Sequence, residues 1–255
     1  MRVAISQPTY LPWMGYFDLI DQVDLIVVLD NVQFVRQSWQ HRNRIKTGNG
    51  LQWLTVPVAF RGRFGQVIKD VEIRDREFAR SHLRAIELAY RRSRYFAEYF
   101  PGLRERLNGH QEGLLSELNL SLIDWALGIL KISTNLVRAS SLHVSGKRTE
   151  LLGEICEAVG GSEYLSPLGS ADYLLAEQNL LRDRGIRILF QNYEHPQYRQ
   201  LFPPFESFAS AIDVIFNYGP LAREIIQSGR REPFTVEQLS RQQSLVRSAE
   251  PSSVT

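Results

Sequence analysis

Two short apolar runs near the start of the chain constrain the fold more than any other feature. VAIS begins at Val3, and LIVVL occupies residues 25–29. The segment between them, MGYFDLIDQV, has apolar residues at helical spacing. Neither run alternates apolar with polar residues, which is typical of strands covered on both faces. The opening therefore predicts a strand, a helix and a second strand in a parallel sheet.

The same alternation returns in the second half of the chain. NLVRAS, EYLS and IRILFQ predict strands, and RTELLGEICEAVG and ADYLLAEQNLLRDRG predict helices, the second ending at Gly185. WLTVPV and KDVEIRD predict two further short strands, and residues 75–132 read as mainly helical. We expect an α/β fold, a Rossmann-like, mostly parallel sheet with a largely helical insertion or cap. One domain is expected over residues 1–242, with a flexible polar tail over 243–255.

Composition narrows the class of protein. The chain has 255 residues, a net charge of +2 and one cysteine, Cys156, so it forms no intramolecular disulfide. No signal peptide opens the sequence, and no apolar run approaches the roughly 20 residues of a membrane span. We therefore expect a cytoplasmic protein without a membrane span. The mild positive charge does not indicate nucleic-acid binding.

Polar, aromatic loops follow the predicted strands. Ligands of parallel α/β sheets bind at the carboxyl ends of the strands, where these loops meet. Prolines stiffen the first loop, SQPTYLPWMGY, and Gly15 lets its backbone approach a ligand. The aromatic rings of this loop either supply flat walls for a ligand or plug the sheet edge beneath a cap. The loops predict a cleft lined by Gln7, Tyr10, Trp13, Tyr16, Asp30, Gln33, Ser166, His195, Tyr198 and Gln200.

Six collinear motifs carry a family resemblance over about residues 1–220. They are ISQPTYLPWMGYF, DNVQFVRQSWQHRNRIKT, WLTVPV, EYLSPLGSADYL, YEHPQYRQ and SAIDVIFNYG. Together they resemble the WbqC-like protein family. The resemblance implies a glycine or other N-acyl transferase that modifies an amino sugar in O-antigen or surface polysaccharide biosynthesis. The family tends to have Ser-Gly where this chain has Ser166-Pro167, which weakens any phosphate cradle at that loop.

N-acylation needs an uncharged amine, a base and donors for the oxyanion. His195 is our candidate base, because its ordinary pKa suits proton transfer near neutrality. Asp30 is the second catalytic candidate, since it could hold a hydroxyl or the amine at the end of its strand. The structural alternatives stay open at this stage: His195 as a turn residue and Asp30 as a cap.

A basic segment, SWQHRNRIK, supplies candidates for binding the phosphates of a nucleotide-linked sugar. A solvated loop is the alternative reading of this segment. Asp213 and Asn217 share one face of a predicted helix, where they line the cleft or bond neighbouring backbone. The substrate-binding candidates from these two segments are Trp39, Arg42, Asn43, Lys46, Asp213 and Asn217.

Two other functions remain open from the sequence. The opening segment is also similar to nucleotidylyltransferases such as pantothenate synthetase, which would use ATP and Mg²⁺. Their His-x-Gly-His motif is missing here, because residues 13–16 read Trp-Met-Gly-Tyr. A non-catalytic nucleotide-sugar-binding protein is the other alternative.

The expected partners follow from the transferase reading. The acceptor is a nucleotide-linked amino sugar and the donor is an activated acyl thioester. An acidic acyl-carrier protein could dock on a basic helix near Arg91 and Arg92. No cofactor is evident, and no metal-ligand spacing occurs.

Overall fold

A computed structural model describes residues 1–75, 77–109 and 113–249, with only the backbone described over residues 243–249. Its largest sheet has six strands in the order β5-β2-β1-β6-β7-β8. The first five strands in this order run parallel, and β8 pairs antiparallel with β7. The predicted α/β, Rossmann-like sheet is thus confirmed. The strands of the chain are β1 (Arg2–Ser6), β2 (Leu25–Val28), β3 (Arg42–Thr47), β4 (Gly50–Thr55), β5 (Asn135–Arg138), β6 (Glu163–Ser166), β7 (Arg187–Tyr193) and β8 (Arg230–Thr235).

Both faces of the sheet are covered, as the unbroken apolar strands require. Successive residues of a strand point to opposite faces. Val3 and Val27 pack into one apolar cluster, and Ala4 and Ile26 pack into another on the opposite side. All four side chains are inaccessible to solvent. Burial on both sides is what fixes β1 and β2 in the centre of the sheet.

Helices cover the sheet and form the insertion between β4 and β5. The insertion consists of α2, α3 and α4, in agreement with the predicted helical segment. Within the described residues, no helix has the length and apolarity that crossing a membrane requires. The helices are α1 (Met14–Asp21), α2 (Phe78–Tyr90), α3 (Phe96–Gly109), α4 (Leu115–Leu130), α5 (Thr149–Ala158), α6 (Ala171–Ala176), α7 (Asn179–Arg182), α8 (Ile212–Tyr218), α9 (Ala222–Ser228) and α10 (Val236–Ala249).

Two sequence predictions of secondary structure were wrong. The single helix expected to end at Gly185 is interrupted after Ala176 and forms α6 and α7. KDVEIRD forms a 3₁₀ turn followed by isolated bridges at Glu72 and Ile73. The flexible tail predicted over 243–255 stays a prediction, because the backbone of α10 continues to Ala249 and residues 250–255 lie outside the described part of the chain.

The strands β3 and β4 form a separate antiparallel hairpin, of which the sequence predicted only β4. Gly50 has φ +95° at the hairpin turn, where the Thr47 hydroxyl donates to the Gly50 carbonyl at 2.9 Å. A positive φ is strained for residues with a side chain, so glycine suits this turn. The insertion steadies the start of the hairpin, because Asn119 of α4 donates to the carbonyls of Pro8 and Gln40 at 3.1 and 2.7 Å.

An ion network ties the end of the chain to its beginning. Arg230 at the start of β8 donates to Asp18 Oδ1 of α1 at 2.8 Å and also pairs with Asp21. Arg223 of α9 donates to the other oxygen of Asp21 at 2.7 Å. Burial raises the pKa of Asp18, although the hydrogen bonds from Arg230 and Gln191 oppose that rise. The network therefore compensates two carboxylates that are almost wholly shielded from water.

Candidate functional site

The loops after β1 and β7 meet at the carboxyl edge of the sheet. Trp13 pairs through its backbone with Ser210, and the Ala211 amide donates to the Pro12 carbonyl at 2.8 Å. The Ser210 amide also donates to the carbonyl of Arg44 in β3, again at 2.8 Å. Three segments that are distant in sequence are thus joined at one place.

His195 lies among aromatic rings at this junction. Its imidazole is nearly parallel to the Trp13 indole, with centroids 6.2 Å apart and an interplanar angle of 15°. The Tyr198 ring is also nearly parallel to the imidazole, at 6.5 Å and 20°. Phe205 and Phe208 lie 5.7 and 5.2 Å from it. The structure therefore brings together three side chains that the sequence proposed for the cleft, Trp13, His195 and Tyr198.

The hydrogen bond of His195 determines which ring nitrogen can act as a base. Nδ1 lies 3.0 Å from the carbonyl oxygen of Pro196. A carbonyl only accepts, so Nδ1 carries the hydrogen and Nε2 carries the lone pair. Nε2 is buried and has no hydrogen-bond partner in the described residues. Burial lowers the pKa of His195, and the bond to Pro196 offsets only part of that effect. The imidazole is therefore neutral at pH 7, with an acceptor atom that is not satisfied.

Behind His195 lies a buried carboxylate, Asp213, at the start of α8. The Tyr198 hydroxyl donates to its Oδ2 at 2.7 Å, while Oδ1 is buried and lacks a partner within the described parts of the chain. Burial raises the pKa of Asp213 to about 6. The hydrogen bond from Tyr198 opposes this rise, and so does the positive charge of Lys46. Burial and the charge of Asp213 in turn raise the pKa of the Tyr198 phenol well above its usual value.

Three further predicted residues lie around this carboxylate, of which Lys46 and Gln200 are buried and Asn217 is half-buried. Lys46 is 1% exposed, and its amide donates to the Tyr90 hydroxyl at 2.9 Å. Gln200 donates to and accepts from the backbone of Glu206, which fixes the loop after His195. Asn217 donates to the carbonyl of Asp213 within α8 at 2.8 Å. Lys46 thus belongs to the buried cluster rather than to an exposed phosphate site.

Most of the chain matches the sequence model of one protein family. The sequence model of the WbqC-like protein family matches residues 7–225, which include the hairpin and the whole of this junction. The chain belongs to the WbqC-like protein family. It is 36% identical over 231 residues to an uncharacterized protein of Mycobacterium tuberculosis, Rv1507c, covering 90% of this chain and 99% of that protein. No solved structure matches the chain. Membership of the WbqC-like family associates the chain with polysaccharide biosynthesis.

Asp30, the second catalytic candidate of this WbqC-like chain, acts as a cap. Its side chain is fully buried. Oδ1 accepts from the Ser140 amide at 2.9 Å, and Oδ2 accepts from the Ser140 hydroxyl at 2.7 Å. These bonds tie the end of β2 to the turn after β5. The geometry favours the structural alternative for Asp30.

Most of the other predicted side chains hold the first loop in place. Gln7 accepts from Gln40 at 2.8 Å, and the Tyr16 hydroxyl donates to the Gln7 carbonyl at 3.3 Å. Tyr10 is fully buried, and its hydroxyl lies 2.8 Å from Nδ1 of His82. Burial lowers the pKa of His82 to about 4, so it is neutral at pH 7.

Ser166 and Gln33 do not join the His195 junction. Ser166 is fully buried, and its hydroxyl donates to the Pro167 carbonyl at 3.1 Å. That bond leaves Ser166 no free donor for a ligand. Gln33 is exposed and bridges through its backbone to Val67. No group of three or more His, Cys, Asp or Glu side chains within residues 1–75, 77–109 and 113–249 is arranged to hold a metal ion.

The sequence analysis did not select Tyr90 or Trp53, and it did not distinguish Arg44 from the rest of the basic segment. Tyr90 ends an amphipathic helix, so its spacing predicts only a core residue. Trp53 lies in a segment read as a strand, where an aromatic residue needs no functional explanation. Arg44 was noted within the basic segment, but nothing in the sequence distinguishes it from Arg42.

Proposed function

We propose that the chain transfers an acyl or aminoacyl group, with glycine as the first candidate, from a thioester to the amine of an amino sugar. The proposal places this reaction in the biosynthesis of a surface polysaccharide. The observation that carries it is the unsatisfied Nε2 lone pair of neutral His195 within an aromatic enclosure. A base of this kind is what an attacking amine requires. Membership of the WbqC-like family supports a role in polysaccharide biosynthesis but does not specify acyl transfer.

The proposed step balances without a metal or a redox partner. The amine nitrogen attacks the thioester carbonyl, and a C–N bond forms. Nε2 of His195 takes the proton that the amine loses. The C–S bond then breaks, and the thiol leaves with the proton returned by His195. Burial keeps His195 neutral, so it can accept the proton at pH 7.

The surrounding aromatic residues would bind and orient the sugar. Trp13 and Phe208 offer ring faces on which the C–H groups of a sugar can pack. Tyr198 lies parallel to the imidazole and is held by its bond to Asp213. Tyr198 and Asp213 are therefore positioning residues for His195 in this scheme.

The groove between α2 and α3 fits an acidic carrier of the thioester. It has a volume of about 500 Å³ and is lined by three arginines and one carboxylate, Arg80, Arg84, Arg104 and Glu87, with Leu83 and Phe100 among its apolar residues. These three arginines form no ion pair with other described residues. A basic groove with an apolar lining complements an acidic amphipathic helix. Arg91 and Arg92, which the sequence suggested, lie beyond the end of α2 and do not line it.

A transfer assay read by mass spectrometry tests the function. Purified protein meets a panel of nucleotide-linked amino sugars, with glycine or short acids supplied as thioesters or as free acids with ATP and Mg²⁺. Acylated sugar formed from thioester alone supports the proposal. Product formed only with ATP and Mg²⁺ contradicts it in favour of an adenylating enzyme. Absence of product with a ligand-induced rise in Tm favours the binding protein.

A matched pair of variants separates catalysis from binding. His195→Gln removes the base, so we expect turnover to fall on the order of 100-fold while the acceptor still binds. His143→Gln is the control, because His143 is an exposed histidine outside the junction. Equal turnover in both variants would argue against the role of His195.

A further inference from the structure

Two indoles are exposed on the outer side of the β3–β4 hairpin. Trp39 is 47% exposed and Trp53 is 44% exposed. Their ring centroids are 5.4 Å apart, with an interplanar angle of 32°. Two large aromatic side chains at a water-exposed surface are costly to leave without a partner, and adjacent indoles are a common stacking surface for planar ligands.

Two arginines of β3 lie against these indoles. Cζ of Arg42 is 4.4 Å from the centroid of Trp53. Cζ of Arg44 is 5.6 Å from Trp39 and 5.4 Å from Trp53, its cross-strand neighbour. Neither arginine forms an ion pair with a residue that the structure describes. We call Trp39, Arg42, Arg44 and Trp53 the tryptophan–arginine face.

The tryptophan–arginine face contains a buried donor that is not used. Nε of Arg44 is shielded from water and has no acceptor among the described residues. A buried N–H without an acceptor costs free energy, and a phosphate oxygen would satisfy it. Cation–π contacts also hold the guanidinium groups in place before any ligand arrives. The arginines are thus ordered, charged and without a counter-ion in the described chain.

Short backbone links connect this face to His195. The Arg44 carbonyl accepts from the Ser210 amide, and Ser210 pairs with Trp13, whose indole stacks on the imidazole. Asn43 lies between the two arginines and donates to the carbonyl of Leu11 at 2.8 Å. The face and the candidate base therefore belong to one hydrogen-bonded edge of the molecule.

We infer that the tryptophan–arginine face binds the nucleoside diphosphate of the acceptor. The base stacks on the indoles of Trp39 and Trp53. The diphosphate accepts hydrogen bonds from Arg42 and Arg44. Stacking on an indole tolerates different bases, whereas a guanidinium matches phosphate oxygens in pairs. Assigning the ligand to the acceptor sugar rests on the proposed function, but binding of a nucleoside diphosphate does not.

Tryptophan fluorescence and calorimetry test this inference with UDP as the probe. We expect saturable quenching by UDP and weaker binding of uridine and of pyrophosphate, since each lacks half of the ligand. Trp39→Ala combined with Trp53→Ala should weaken UDP binding at least tenfold. Arg44→Ala should do the same and should reduce the dependence of binding on salt.

The matched control is Arg36→Ala. Arg36 lies 3.9 Å above the Phe60 ring, so it has a cation–π contact of the same kind outside the tryptophan–arginine face. UDP binding should be unchanged in this variant. Equal losses in Arg36→Ala and Arg44→Ala would overturn the inference. So would wild-type affinity in the double tryptophan variant, or the absence of saturable UDP binding.

Two comparisons keep this inference distinct from the proposed function. ATP with Mg²⁺ is tested beside UDP, because both carry a base and phosphates. Tighter binding of ATP with Mg²⁺ than of UDP would overturn the assignment to the acceptor. UDP binding without any transfer would refute the proposed reaction while retaining the site. Transfer to an amino sugar without UDP binding would refute the site while retaining the reaction.

Discussion

Trp13 lies directly over Gly15, so that a methyl group on Gly15 would overlap the indole. The contact is with the six-membered part of the ring. Gly15 is in the first turn of α1, immediately after the loop that follows β1. The missing side chain at this position lets the indole lie flat and stack on His195.

Gly15→Ala should therefore lower kcat/KM for transfer while changing the free energy of unfolding little. Displacing the indole disturbs the enclosure of His195, so we expect kcat/KM to fall on the order of tenfold. Gly128→Ala in α4 is the matched control, because nothing lies within 4 Å of its added methyl group. In a helix, alanine is more favourable than glycine by roughly 0.5–1 kcal/mol, so the control should be slightly stabilised and fully active. Urea unfolding and transfer kinetics measure both effects.

The decrease in transfer rate at low pH should reflect protonation of His195. Burial lowers its pKa from 6.5, and the base is inactive once protonated. The fall in rate should therefore occur at a lower pH than for an ordinary histidine with a pKa of 6.5. Asp213 also titrates in this region, so the profile is repeated in Asp213→Asn. An acid limb that disappears in Asp213→Asn would assign the titration to the carboxylate instead.

Asp213 makes the stability of the protein depend on pH. Its pKa rises from 3.8 in the reference state to about 6 in the folded chain. The folded protein thus binds this proton more tightly than the unfolded chain does. The stabilisation is fully present below about pH 4 and is lost as pH rises through about 6, a change on the order of 3 kcal/mol.

Asp213→Asn removes that dependence, because an amide does not titrate. The measurement is the free energy of unfolding in urea at a series of pH values, taken as the difference between wild type and variant. A difference that is flat between about pH 4 and about pH 8 would show that Asp213 has an ordinary pKa in the folded chain.

Asp30 should matter for stability and not for chemistry. Asp30→Ala leaves the Ser140 amide and hydroxyl without their acceptor, which typically costs about 1–3 kcal/mol. Ser140→Ala should weaken the same contact, and the two effects should not add in the double variant. Denaturant unfolding checks the stability. A loss of kcat with unchanged stability would restore the catalytic prediction for Asp30.

The groove between α2 and α3 can be tested by reversing charge. Arg84→Glu with Arg104→Glu should lower kcat/KM on the order of tenfold for a carrier-bound thioester, because charge complementarity governs encounter with an acidic partner. Turnover of a small thioester should not change. Arg91→Glu with Arg92→Glu is the control at exposed arginines outside the groove. Loss with both kinds of donor, or in the control alone, would refute docking in the groove.

The sequence predicted the sheet, and strand patterning also indicated the edge at which the candidate residues Trp13 and His195 meet. Unbroken apolar runs placed β1 and β2 in a covered parallel sheet, and that placement brought Trp13 and His195 to one edge. β3 was missed because its sequence, RNRIKT, is mostly polar. One face of β3 is partly exposed to solvent, so its residue pattern differs from that of a strand buried on both faces.

Contacts between residues distant in sequence could not be predicted for the candidate site. Lys46 and Asp213 were assigned to different parts of a ligand site, whereas folding buries them in one cluster. Hydrophobic periodicity does not predict a buried lysine, because lysine is counted as a surface residue. Tyr90 joins the same cluster from the insertion, and helical spacing alone cannot show which helix end meets which strand.

The ion network of Asp18, Asp21 and Arg230 bears on how the chain folds as it is synthesised. The ribosome synthesises α1 early and β8 late. Asp18 and Asp21 therefore cannot pair with Arg230 until nearly the whole chain has emerged. Asp18 is completely shielded in the folded protein, and an unpaired charge there opposes closure of the sheet. The final packing of α1 therefore follows release of the carboxyl-terminal segment from the ribosome. In a nascent chain that stops before residue 230, α1 should not pack fully against the sheet.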